Sequence, residues 1–147
     1  MADSVEKKIY QALLTKVQAL ALPAGMTQAA NVALPGVKVT PTATMKFISV
    51  EVHFNRSIET DLSMEMDAIR IGFMRCNVMW PKGAAVVDGI DLAGQIKSFF
   101  RRGSKLLRTD TQVRIDEDPE VGVLVTGDTH VTIPVTIRWN CQPQVPA

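Results

Sequence analysis

The chain has 147 residues, 46% of them hydrophobic and 21% charged, the size and make-up of one globular domain that needs no metal or disulfide staple. Sixteen basic residues nearly cancel fifteen acidic ones, leaving a net charge of +1, which argues against a dedicated nucleic-acid binder. Cys76 and Cys141 fall in no CxxC or Cys/His spacing, no apolar run is long enough to span a bilayer, and the polar start Met1 to Lys8 does not read as a secretory signal; the expectation is a soluble protein without a zinc site, folded in a reducing cytoplasm.

Asp3-Ser4-Val5-Glu6 has the form of a capping box. Apolar residues follow at Val5, Ile9, Leu13, Val17 and Leu20, a helical spacing that predicts a first helix from about Ser4 to Leu20, stopped by Leu22-Pro23-Ala24-Gly25. Residues 24 to 44 hold Gly25, Pro35, Gly36 and Pro41 without a strong period, and read as a long irregular connection with one short extended piece at Val37-Lys38-Val39. From Lys46 to Phe54 the pattern alternates, with Ile48, Val50, Val52 and Phe54 on one face and Ser49, Glu51 and His53 on the other, so a strand with one buried face is expected.

Residues 55 to 67 are polar and acidic and read as an exposed excursion between two strands. The next strand spans about Ala68 to Trp80, ended by Pro81-Lys82-Gly83. Val86, Ile90, Ala93, Ile96 and Phe100 predict a second helix over about Ala84 to Phe100. Arg101 and Arg102 suit its C-terminal dipole, and Gly103 follows as a left-handed cap. Strands at Gln112 to Asp116 and Val121 to Thr126 flank an acidic turn, Glu117-Asp118-Pro119-Glu120. The closing strand puts Val131, Ile133, Val135, Ile137 and Trp139 on one face. Pro134 interrupts its polar face, which predicts a sheet edge or a bulge, because proline cannot donate to a ladder. The fold class that follows is α+β: one domain over residues 1–147, with a largely antiparallel or mixed sheet and two helices packed on one face.

Chemistry-bearing residues are few. His53 and His130 each sit on the polar face of a predicted strand near a carboxylate, and the plainer reading is two solvated strand residues. Cys76 is placed mid-strand on an apolar face, where a thiol is an inert small hydrophobe; Cys141 lies in the tail and could be exposed. Asp116, Glu117, Asp118 and Glu120 lack the glycine spacing of a calcium loop. Arg101, Arg102, Lys105 and Arg108 form the one basic cluster, without the interleaved aromatics that stack single strands. Neither a nucleotide-binding nor a hydrolase motif occurs. No catalytic residue, metal or cofactor is therefore expected.

The stretch Gly72-Phe73-Met74-Arg75-Cys76-Asn77-Val78-Met79-Trp80-Pro81-Lys82-Gly83, the helix ending at Phe99-Phe100-Arg101-Arg102-Gly103, and the close Ile133-Pro134-Val135-Thr136-Ile137-Arg138-Trp139 together resemble the tail-terminator or tail-completion family of long-tailed phages. Helix 1 and the proline-containing connection after it occupy the matching places, so the resemblance covers most of the chain. It implies a structural virion protein: a ring of six copies at the head-proximal end of the tail tube, where it ends tube polymerisation and joins the tube to the neck. The implied partners are further copies of itself, the tail tube protein and a neck or head-completion protein. DNA would pass through the lumen without specific binding, and no membrane is involved. The implied location is the virion's head–tail junction, after assembly in the host cytoplasm. A different head–tail joining protein, or a small cytoplasmic enzyme working through His53 or His130, are the alternatives.

Residues 24 to 44 and 55 to 67 depart from the family pattern. The second segment carries Ile58, Leu62, Met64 and Met66 among Glu59, Asp61 and Glu65, more apolar surface than a solvated loop requires. These residues are expected to contact another chain, with Arg101, Arg102 and Lys105 as the second choice. Replacing Ser57 through Glu65 by a short Gly-Asn turn should leave a folded monomer but impair tail termination or head joining; tails of normal length that still join heads would refute the contact.

Overall fold

Period-two alternation of apolar residues builds the sheet, and helical periodicity builds its cover. The structure is a computed structural model that describes residues 5–23, 26–36, 42, 44–58, 69–108 and 111–141. Three long strands carry the alternation: β2 (Phe47–Ile58), β3 (Ile69–Pro81) and β8 (His130–Cys141). Their register sets Val50 beside Cys76 and Cys76 beside Val135, then Val78 beside Ile133 and Met74 beside Ile137. All of these side chains are buried, so the three strands share one apolar face.

The pairing of β3 with β8 is antiparallel over twelve residue pairs, from Arg70 opposite Cys141 to Pro81 opposite His130. The other edge of β8 is divided among three short strands. These are β7 (Val125–Thr126), β6 (Glu120–Val121) and β5 (Thr111–Arg114). Outside β5 lies β4 (Lys105–Arg108). At the far side β1 (Val32–Ala33) runs parallel to β2. The eight strands thus form one mixed sheet on an α+β plan.

Two long helices cover the apolar face. Helix α1 (Val5–Gln18) inserts Ile9, Leu13 and Val17 against β4 and β5, as its spacing predicts. Removing one such buried side chain typically costs about 2–5 kcal/mol. Asp3 of the expected capping box lies outside the described residues. Glu6 meets its own backbone amide and accepts from Arg70 Nε at 3.1 Å, which hold its carboxyl below the usual range against the opposite pull of burial. At the other end Gln28 Nε2, at the start of the one-turn helix α2 (Gln28–Asn31), donates to the carbonyls of Val17 and Leu20 at 3.2 and 2.9 Å. It thereby satisfies acceptors that the end of α1 leaves open.

Helix α3 (Val86–Phe99) lies over β3 and β8. Its buried line is Gly89, Leu92, Ala93 and Ile96, with Phe100 after it. The expected line through Ile90 is off by part of a turn, and Ile90 is 41% exposed. The cause is Gly89: a Cβ there would stand 3.0 Å from the Trp80 ring and from Ile133. The helix approaches the sheet at the residue without a side chain, and that rotates Ile90 outward.

Several expectations are corrected. Pro134 does not mark an edge, because β8 is paired on both sides. Instead the outer ladder breaks opposite it. Gly122 donates to the Pro134 carbonyl at 2.7 Å, but the return bond of such a pair needs an N–H that proline lacks. Residues 122–124 accordingly leave the ladder, and the single strand expected over Val121 to Thr126 is two two-residue strands. The connection over 24 to 44 is not wholly irregular, since it holds α2 and β1. Val37-Lys38-Val39 lies outside the described residues. The excursion begins later than expected, because β2 continues past a register shift between Phe54 and Ser57 as far as Ile58, opposite Ile69. A strand not foreseen, β4, follows Gly103, whose positive φ of 91° turns the chain so that its N–H meets the Ile115 carbonyl at 2.7 Å. Gly103 is thus the turn into β4, three residues beyond the helix cap at Phe100.

Gly72 lies between Phe54 on β2 and Trp139 on β8 in the register. A Cβ on it would collide with the His53 carbonyl oxygen and stand 2.6 Å from the Trp139 ring. Gly72→Ala should therefore lower the stability by about 1–3 kcal/mol. Gly89→Ala should cost less, because the gain in helix propensity of about 1 kcal/mol offsets its tighter packing. Urea midpoints at unchanged slope measure both; an unaltered midpoint for Gly72→Ala would contradict the packing described here.

Candidate functional site

The residues with catalytic potential are occupied structurally. His53 is exposed, stacks on Phe73 with ring centroids 4.6 Å apart, and lies 3.4 Å from Glu51. His130 is buried, contrary to the expectation of a solvated strand residue. Its Nε2 donates to the Met45 carbonyl at 2.7 Å, and its Nδ1 is hydrogen-bonded to the Thr129 hydroxyl at 2.9 Å, which is the donor when the ring is neutral. Phe47 packs edge-on against the same ring. His130 pins the start of β8 to the residues that lead into β2. Cys76 is buried in the core, and burial pushes its thiol up to about 12. Cys141 is likewise buried, at the end of β8, not exposed.

The acidic turn is spoken for as well. Arg138 Nη1 lies 3.3 Å from Glu120 and 3.9 Å from Glu117, Asn140 donates to Asp116, and Asp118 accepts from the backbone N–H of Arg102 at 3.1 Å. No group of three or more metal-ligating side chains converges among the described residues. No helix among them is long and apolar enough to cross a membrane.

Of the expected contact residues, Ile58 closes β2, and its side chain is not described. Glu59, Asp61, Leu62, Met64, Glu65 and Met66 lie outside the described residues. Because Ser57 and Ile58 are paired strand residues, a replacement confined to residues 59–68 tests the connection without cutting the ladder. Arg101, Arg102 and Lys105 are exposed, the first two just after α3 and Lys105 opposite Arg114 in the β4–β5 pair. The fold adds Lys16 of α1 to them. Its ammonium stands 4.1 Å from the centre of the Phe99 ring, and it lines a cleft with Arg101 and Arg102. This neighbour is more than 80 residues away in sequence, and only tertiary packing brings it there.

Two surfaces that sequence reasoning missed are apolar. The first is the strap from β6 into β7, where Val123 is 84% and Val125 60% exposed. The run Val-Gly-Val-Leu-Val carried a signal, since it has no polar residue to face water. The second is a groove of about 770 Å³ between residues 19–21 and α3, lined by Leu20, Ala21, Ile90, Gly94 and Phe99 among others. It continues past Phe99 into the basic cleft. Contiguous exposed apolar surface of this kind marks sites of association.

The histidines separate structural from chemical roles. His53→Ala should shift stability by less than about 0.5 kcal/mol, and His130→Ala should lower it by about 1–3 kcal/mol, because the Met45 carbonyl loses its donor. The Cys76 thiol should resist Ellman's reagent in the folded protein at pH 8 and react on unfolding. Its folded value lies above the ordinary 9.0, so its contribution to stability is complete below that pH and is lost as the pH rises from there toward about 12. Rapid labelling of Cys76 in folded protein would contradict its burial.

No curated protein matches the chain closely enough to count as a relative. A solved structure without a functional description is similar over 97% of this chain and 98% of its own, at 22% identity and a TM-score of 0.77, a likeness of fold. The family profile described as phage tail terminator protein matches residues 8–139, from the fourth residue of α1 almost to the end of β8. By that match the chain belongs to the phage tail terminator proteins, a structural family of the virion's tail.

Proposed function

We propose that this protein forms a closed ring of six copies on the head-proximal end of the tail tube. There it stops tube polymerisation and offers its opposite face to a neck or head-completion protein. The observation that carries this reading is the family match over nearly the whole fold. Three features support it. Each copy carries two unlike apolar surfaces, the strap and the groove, and a ring closes through unlike surfaces repeated head to tail. The net charge of +1 suits a lumen through which DNA must pass without being held. His130, Arg138 and Asp118 hold strands and turns in fixed positions, as a rigid ring subunit needs.

Ile58, Glu59, Asp61, Leu62, Met64, Glu65 and Met66, with the basic residues Arg101, Arg102 and Lys105, remain proposed contacts with a neighbouring copy or the tube. Tails assembled without this protein should be of irregular, excessive length and should fail to join heads, and restoring it should restore both. A virion map should place six copies at the head–tail junction. Tails of normal length in its absence, or copies located elsewhere, would overturn the proposal.

A further inference from the structure

The exposed strap is an apolar projection that its own chain leaves uncovered. From Glu120 to Asp128 the sequence is Glu-Val-Gly-Val-Leu-Val-Thr-Gly-Asp, acidic at both ends and without a basic residue between. Glu120 is engaged by Arg138, whereas Asp128 has no ion partner among the described residues. Nothing pairs with the outer edge of β6 or β7 among those residues either. Pro134 is the reason the strap stands free, since it denies residues 122–124 a place in the ladder.

The groove along α3 has the opposite character. Its floor opens at Gly94, where nothing lies within 4 Å of the place a Cβ would take. Its walls are mostly apolar, with Gln95 and Ser98 among them, and its one acid, Asp91, already accepts from Gln95 at 2.9 Å. At the Phe99 end it runs into Lys16, Arg101 and Arg102. The lengths also agree. The helix from Ile90 to Phe99 spans roughly 13 Å at 1.5 Å per residue, and a strap from Val121 to Val125 spans roughly 13 Å at 3.3 Å per residue.

We infer that the strap of one copy seats in the α1–α3 groove of the next, with Asp128 toward the basic end. This deepens the ring reading above and rests on it. The occupant is a second copy of this chain, because the chain itself supplies a projection of matching length, apolar character and charge. Strap and groove lie at different places on one copy, so the contact is head to tail.

The test uses tails assembled with variant protein. Val125→Cys combined with Gly94→Cys should, on oxidation, give a ladder of covalently linked copies in denaturing gels, and neither single variant should. Cys76 and Cys141 are buried and add little background. Val123→Glu and Gly94→Lys should each lower incorporation into tails by about tenfold or more, while circular dichroism and the unfolding midpoint of the purified protein stay near the parent. Asp128→Lys should weaken incorporation, and adding Arg102→Glu in the same chain should restore it. A ring present in the map with no ladder, or with Val123→Glu and Gly94→Lys incorporated like the parent, overturns the strap–groove contact and leaves the ring reading standing. A link from Val125→Cys to the tube protein in place of a second copy overturns it too. Absence of the ring from the map overturns the ring reading, and this inference falls with it.

Discussion

The pairing of β8 with β3 is the constraint on which the remaining architecture hangs. Twelve residue pairs fix β8 on one side, and every other strand reaches the core through β3 or β8. A shift of one residue in this register would turn Ile133, Val135 and Ile137 out of the core. The same strand carries Pro134 on its other edge, so that edge cannot hold one continuous partner. The chain resolves the conflict by laying three short strands along β8 and leaving a gap opposite the proline. Core order and surface exposure are therefore set on the two edges of one strand. The ladder toward β3 stays whole, and the ladder away from it releases an apolar strap.

How legible this was in the amino acids depends on the range of the interaction. The three long strands and two long helices follow from local periodicity, because Ile48-Val50-Val52 or Ile9-Leu13-Val17 must face one way whatever lies beyond them. The parallel pairing of β1 does not follow, since two residues, Val32 and Ala33, carry no period. The face of α3 was placed from its large residues through Ile90, whereas the real guide is the absent side chain of Gly89. Pro134 was read through the rule that prolines avoid central strands, which holds here for one half-ladder only. In the basic cleft, the charges of Arg101 and Arg102 are legible because charge at a helix end is local. Lys16 is not, because it reaches them only through tertiary packing against Phe99.

Several polar residues act as ties between segments. His130 spends both ring nitrogens on Thr129 and Met45. Arg138 lies between Glu117 and Glu120 on the turn before β6. Asp118 accepts from an amide just beyond α3. Each ties two segments distant in sequence.

The two tryptophans sit near opposite ends of the β3–β8 ladder. Trp80 on β3 is paired with Val131 under α3, and Trp139 on β8 is paired with Gly72 against Phe54. Both are buried, at 2% exposure. The protein thus carries an intrinsic optical probe at each end of its central pairing. With one indole replaced by phenylalanine, the emission of the other would report on its own end alone, so fraying where β8 begins could be told from fraying where it closes.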